Sequence, residues 1–332
     1  MRALVELTFV LALLMIAGAA AEPVASPDYR LTVEHRQGAR FAGVARDGAA
    51  LLITNLADGR LYRRDAAGEI LPFGPVLPHG LDTFGDPTGP YRVERTGQSF
   101  IVAQGWTPAG QTTGPLDHAL LRISEAGIAT VVSSDLWNPY DFAIAGKDFI
   151  VVDSARNSLE RVSSTTGARA TVFVFKRLKT SGAALETLSP TEFADKQTVE
   201  FDAVPTGIAA HDGRLFVSLF GGFPFLPGSG RVVSLPDVGT PTSAKVEADN
   251  LNAPVDVAFE APRAMLVLEH GAFAQATGWT AGSGRLLRLD LQTGKREVLL
   301  DGLTRPVSVL VFDRQLIVVS DLEGNLHFLN HR

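Results

Sequence analysis

Pro139-Tyr140-Asp141-Phe142, Phe149-Ile150-Val151-Val152, Leu159-Glu160-Arg161-Val162 and Ala170-Thr171-Val172-Phe173-Val174 lie in succession between residues 139 and 174. Each segment is too short for a stable helix and is rich in β-branched or aromatic residues, so each reads as a strand. The second is apolar at four consecutive positions, which suits a strand buried on both faces. The unit recurs along the chain. Equivalent apolar runs start at Leu51, Phe100, Phe149, Leu215, Met265 and Leu316, separated by 49, 49, 66, 50 and 51 residues. A repeat of about 50 residues with a single insertion is the signature of a repeat architecture.

The rest of the unit keeps the same phase. A proline opens the strand upstream of the run at Pro90, Pro139, Pro205, Pro254 and Pro306, with Arg40-Phe41-Ala42-Gly43 in the equivalent place of the first unit. A third strand follows each run, as in Leu61-Tyr62-Arg63 and Val232-Val233-Ser234-Leu235, and Asp47-Gly48 and Asp212-Gly213 supply two-residue hairpin turns. Four antiparallel strands repeated six times describe an all-β, six-bladed β-propeller. The sixth unit has no fourth strand after Leu326-His327-Phe328-Leu329. The segment at about residues 29–36 is therefore expected to close the last blade, since an open strand edge invites aggregation.

Residues 1–21 read as a secretory signal peptide: Arg2 precedes an apolar stretch, and Ala19-Ala20-Ala21 offers small residues for cleavage. Residues 22–332 then form one propeller domain, with an insertion at 176–200 between the third and fourth blades, placed in a secreted or periplasmic setting. Inside the insertion, Ser189-Pro190-Thr191-Glu192 is a capping box that predicts a short helix to about Lys196. No later stretch is apolar enough to span a bilayer, so no integral membrane association is expected. The chain has no cysteine, which removes disulfides, thiolate metal sites and thiol nucleophiles. A formal charge of −6 argues against a nucleic-acid partner. The 32 glycines and 19 prolines suit the many tight turns of a propeller.

Asn138-Pro139-Tyr140-Asp141-Phe142-Ala143, Val152-Asp153-Ser154-Ala155-Arg156-Asn157, Val204-Pro205-Thr206-Gly207-Ile208-Ala209, Gly222-Phe223-Pro224-Phe225-Leu226-Pro227-Gly228 and Leu268-Glu269-His270-Gly271 carry a resemblance to a known family. With these motifs the chain resembles the ScyD/ScyE family of NHL-like six-bladed propellers over essentially its whole mature length. The resemblance implies a secreted or periplasmic propeller and hands over no catalytic residues.

Loop lengths point to one face. Between the apolar run and the third strand the six units hold 6, 16, 6, 13, 17 and 6 residues. Gln104–Ala119, Leu219–Arg231 and Glu269–Arg285 are thus elaborated above their blades, where binding residues concentrate. They carry Trp106, Phe223, Phe225, His270, Phe273 and Trp279; Trp137 and Tyr140 lie in and beside a connection that emerges on the same face. These eight residues are the candidate ligand-binding set, for a small-molecule or protein ligand; the same rings would also serve to pack the loops against one another.

Acidic residues recur at two phases of the repeat. Asp141 and Asp256 lie two positions past a blade-opening proline, and Asp153 and Glu269 end the second strand. Converging oxygens of this kind suit Ca2+ or another divalent cation, or a general acid or base; the alternative is that they hold loop backbones. Signatures of serine hydrolases, phosphate loops and zinc helices are absent. Two expectations follow: a propeller scaffold that binds its ligand on the top face, or a metal-dependent, lactonase-like hydrolase or lyase with an acidic site at the channel mouth.

Overall fold

The computed structural model describes residues 22–83, 85–107, 114–181 and 198–332. The signal peptide expected at 1–21 and the capping-box helix expected at 189–196 lie outside the described residues. Six four-stranded antiparallel blades surround a central channel, as the repeat required. In blade 3 the order from the channel outwards is Pro139–Ala145, Asp148–Asp153, Ser158–Val162 and Arg169–Val174, the four segments quoted at the outset. The second strand is the most buried: Phe149 is 1% exposed, and Ile150, Val151 and Val152 are fully enclosed. Side chains on its two faces enter the apolar layers shared with the two neighbouring blades. This is the physical reason that apolar residues run consecutively there instead of alternating.

Closure follows the expected route. Tyr29–His35 pairs antiparallel with Asn325–His331 along its full length, from Tyr29 opposite His331 to His35 opposite Asn325. Tyr29 is also buried at 3% exposure, and its hydroxyl donates to Glu260 at 2.9 Å, so the closing strand is tied to blade 5 as well. One strand was not foreseen. Val24–Ala25 adds a fifth strand to blade 5, against Arg296–Leu303. The insertion is anchored by a ribbon, Leu178–Ser181 paired with Thr198–Phe201, and Leu178, Val199 and Phe201 are buried between blades 3 and 4.

What matters for the site is a bulge at the top of every inner strand. Pairing runs from Phe41 to Asn55, Pro90 to Gln104, Pro139 to Asp153, Pro205 to Leu219, Pro254 to Glu269 and Pro306 to Asp321, and the register slips immediately after each. Proline has no amide to give to a ladder, so it is tolerated at a strand start, and a bulge re-aims the side chains that follow. A hydrogen bond 2.9 to 3.2 Å long repeats beside it, from the amide one residue past the second strand to the carbonyl preceding the opening position. It joins Leu56 to Arg40, Gly105 to Gly89, Ser154 to Asn138, Phe220 to Val204, His270 to Ala253 and Leu322 to Arg305. The repeat thereby stacks rings of side chains along the channel.

Candidate binding site at the channel mouth

The uppermost ring surrounds a cavity of about 190 Å³ to which all six blades contribute. Leu56, Ser154, Phe220, His270 and Leu322, five of the six residues just past a second strand, form its wall. The sixth is Gly105, where a Cβ would fall 2.1 Å from the ring of Tyr91; glycine there leaves room for that ring. Tyr91 and Tyr140, each following an opening proline, stack at 4.5 Å and 22° to make the floor. The long loops of blades 4 and 5 add Phe225 and Trp279, and the connection from blade 1 to blade 2 adds Asp82 and Asp86.

His270 is the most informative group in the cavity. It is 7% exposed, and its Nδ1 lies 2.9 Å from the carbonyl oxygen of Pro306. A carbonyl can only accept, so Nδ1 carries the proton and Nε2 holds a lone pair. Nε2 has no partner among the described residues and opens onto the cavity. Burial, with the nearby Arg305 guanidinium, pushes the imidazole down to about 3, so it stays neutral at ordinary pH. Its ring is locked by Phe220 at 5.6 Å and Trp279 at 4.7 Å between centroids. Arg305 reaches Asp86 at 2.5 Å. The hydroxyls of Tyr91 and Tyr140 have no hydrogen bond among the described residues, and burial holds both phenols above their usual range.

Beneath the floor the channel is plugged. The ring two positions past the opening residues reads Gly43, Arg92, Asp141, Gly207, Asp256 and Ser308. Arg92 crosses it: Nε is 3.4 Å from Asp141, Nη1 is 3.2 Å from Ser308 Oγ and 3.9 Å from Asp256, and Nη2 donates to Glu94 at 2.7 Å. Gly207 is required here, because a Cβ would meet the Asp256 backbone at 2.6 Å. Burial pushes the Asp141 carboxyl up to about 7, against the pull of Arg92, and raises Asp256 as well. Asp141, Glu94 and Asp256 keep the buried guanidinium firmly protonated despite the cost of desolvation.

The structure separates the residues that the sequence grouped. Of the eight candidate ligand contacts, Tyr140, Phe225, His270 and Trp279 line the cavity. Phe273 packs behind it, 5.0 Å from both Phe225 and Trp279, and Phe223 lies 6.0 Å from Phe225, further out. Trp106 and Trp137 border a separate, open hollow with His118 and Ala155, where Arg156 stacks on Trp137 at 5.0 Å. The four acidic residues split in two. Asp141 and Asp256 belong to the plug, whereas Asp153 and Glu269 hold backbone. Asp153 accepts from the amides of Trp137 at 2.8 Å and Asn138 at 2.9 Å; Glu269 accepts from the amide of Asn252 at 2.7 Å and pairs with Arg285 at 2.6 Å. Asn55 does the same in blade 1, accepting from the amide of Arg40. The four therefore do not converge on one point, and no group of three or more acidic or histidine side chains suited to a metal ion occurs among the described residues. The expected Ca2+ arrangement does not assemble because the second-strand carboxylates serve as blade latches.

Tyr91 and Arg305 were absent from the candidate set. Tyr91 has the same phase as Tyr140, one past the proline, and that phase was the signal for it.

No family model matches the chain, and no curated protein is similar to it in sequence. Solved structures are similar in fold. A gluconolactonase from Xanthomonas campestris is 12% identical over 93% of this chain and 91% of that chain, with a TM-score of 0.60. A catalytically inactive virginiamycin B lyase from Staphylococcus aureus, with quinupristin, is 15% identical over 91% of this chain and 99% of that one, at 0.52. A streptogramin B lyase is 12% identical over 92% and 98%, at 0.53. At such identities the likeness establishes the six-bladed propeller and leaves the chemistry to the site itself.

Proposed function

We propose that this chain is a secreted or periplasmic binding propeller of the ScyD/ScyE-like, NHL-type group, and that its ligand is a small, partly apolar molecule held in the mouth cavity. The observation that carries this reading is the acceptor at His270 Nε2, left without a protein partner in an enclosure of aromatic rings. That nitrogen is accessible within the cavity, so water meets it in the free protein and a ligand that donates to it takes the place of that water. The neighbouring phenol hydroxyls add two further polar points on the floor. A hydrolase or lyase acting on the same bound molecule is the second reading, supported by an imidazole and two phenols sharing one cavity. Binding leads, because a base whose conjugate acid titrates near 3 is a weak one at neutral pH.

The test compares the mature chain with His270→Asn in a small-molecule screen read by melting temperature. The asparagine amide keeps a donor for the Pro306 carbonyl and deletes the Nε2 acceptor. Compounds that stabilise the parent and lose that effect in the variant support the reading; hits indifferent to the substitution refute it.

A further inference from the structure

We propose that the mouth cavity selects an uncharged ring compound that carries an O–H or N–H donor; this rests on the binding reading above and names the ligand class for the same cavity. The polar groups around the cavity decide it, because many are already spent on the protein. Ser154 Oγ donates to the Pro205 carbonyl at 2.7 Å, Thr206 Oγ1 lies 2.9 Å from Ser218 Oγ and 3.2 Å from the Pro254 carbonyl, and Asn138 Oδ1 accepts the Trp106 amide at 2.8 Å. His270 Nε2 and the hydroxyls of Tyr91 and Tyr140, by contrast, keep capacity to spare. The Pro306 carbonyl fixes the proton on Nδ1, so Nε2 can only accept. Burial keeps both phenols protonated, and each can donate to a neutral acceptor on the same ligand.

Charge is spent in the same way. Arg305 and Asp86 form an ion pair at 2.5 Å, and Asp82 accepts the Asp86 amide at 2.9 Å and is engaged further. An anionic ligand would have to share Arg305 with Asp86, and a cationic one Asp86 with Arg305. Beneath the floor, Asp141, Glu94 and Asp256 surround Arg92, and burial holds the two aspartates above the usual carboxylate range. Nε2 belongs to an imidazole kept neutral by burial and Arg305, so its lone pair repels an anionic oxygen and the ring offers no charge in return. An ion would therefore leave water for a site that, among the described residues, holds no counter-charge in reserve. Burying an unpaired charge costs far more than burying a neutral group that finds a hydrogen bond.

The enclosure sets the body of the ligand. Phe220, Phe225 and Trp279 stand on the wall, over the stacked Tyr91 and Tyr140 of the floor, and rings of this kind pack best against another flat apolar group. A volume of about 190 Å³ falls below the roughly 300 Å³ at which drug-sized sites begin, so that body is a single ring or its equivalent. On binding, its neutral donor exchanges a water for His270 Nε2.

Four single-ring probes separate the possibilities: phenol, fluorobenzene, benzylamine and benzoate, titrated calorimetrically at neutral pH into the mature chain and into His270→Asn. Phenol supplies an uncharged donor, fluorobenzene keeps the ring without the donor, and the other two carry opposite charges. Phenol is expected to bind about tenfold tighter than fluorobenzene and tighter than either ion by a similar or larger factor, and His270→Asn should bring phenol down to the level of fluorobenzene. Fluorobenzene binding as tightly as phenol would remove the donor from the assignment, and benzylamine or benzoate matching phenol would remove its neutrality; in either case the inference falls while the cavity stands as a binding site. If none of the four binds the parent, or if phenol binds His270→Asn unchanged, the assignment and the underlying cavity reading both fall. The ranking of probes in the parent decides the matter even where the variant fails to fold.

Discussion

Replacing His270 by asparagine tests the electrostatics on which the functional reading depends. In the folded chain the imidazole is pushed from an ordinary value of 6.5 down to about 3, first by burial and then by Arg305. The unfolded chain therefore binds a proton between these limits that the folded chain refuses. Stability from this group is fully present above about 6.5 and is lost as pH falls towards 3. From neutral pH to about pH 4 the window is about 2.5 units, which at ~1.4 kcal/mol per unit gives ~3 kcal/mol. Other groups titrate over the same range, so the useful quantity is the difference in unfolding free energy between parent and His270→Asn. Denaturant unfolding at a series of pH values supplies it. The difference should shrink by about 3 kcal/mol between pH 7 and pH 4 in disfavour of the parent, whatever its offset at neutrality. A flat difference would mean that the ring titrates alike in both states. It would then not be a sealed neutral imidazole, and the acceptor argument would fail with it.

Arg92→Met should destabilise the chain by about 3–5 kcal/mol at pH 8, because it leaves Asp141, Asp256 and Glu94 facing one another without a counter-ion. Asp141 already sits high, at about 7, so the loss should ease as pH falls towards 5 and the carboxyls protonate; an equal loss at both pH values would contradict the plug. Deleting residues 22–36 removes the closing strand of blade 6 and the extra strand of blade 5, and should abolish cooperative unfolding and promote aggregation, measured by chemical denaturation and light scattering. Protein recovered from a secreting or periplasmic host should start at Glu22 by N-terminal sequencing; a retained leader would refute the cleavage reading. A chelator should leave the melting temperature unchanged, since Asp153 and Glu269 are consumed by backbone amides; a fall of several degrees would reinstate a structural cation.

The architecture was legible because it is written in a period. Once Phe149-Ile150-Val151-Val152 is read as a doubly buried strand, its five counterparts fix the blade number, and the blade lacking an outer strand fixes the closure. Val24–Ala25 escaped notice because two residues carry no periodicity. The site was half legible for a different reason. Phase within the repeat says at what height in the channel a side chain sits, so Tyr140, Asp141 and His270 were placed at the mouth or just below it. Phase does not say what a side chain bonds to. Asp141 and Asp153 are both aspartates and lie twelve residues apart, yet one faces Arg92 across the channel while the other receives the amides of Trp137 and Asn138. The difference arises at the bulge after Pro139, which turns one position inwards and leaves the end of the second strand beside the loop backbone. A carboxylate beside unpaired amides is captured by them. It follows that Asn55, Asp153 and Glu269, which end the second strands of their blades, secure the adjoining backbone, and the residue after each is free to vary. That following position runs Leu56, Gly105, Ser154, Phe220, His270 and Leu322, five residue types on one frame; its two polar members are Ser154, whose hydroxyl donates to the Pro205 carbonyl, and His270, whose Nδ1 donates to the Pro306 carbonyl and whose Nε2 is left as an acceptor. The functional reading rests there because the backbone bond shared by all six blades uses only the amide of that position, and nothing in it requires an imidazole.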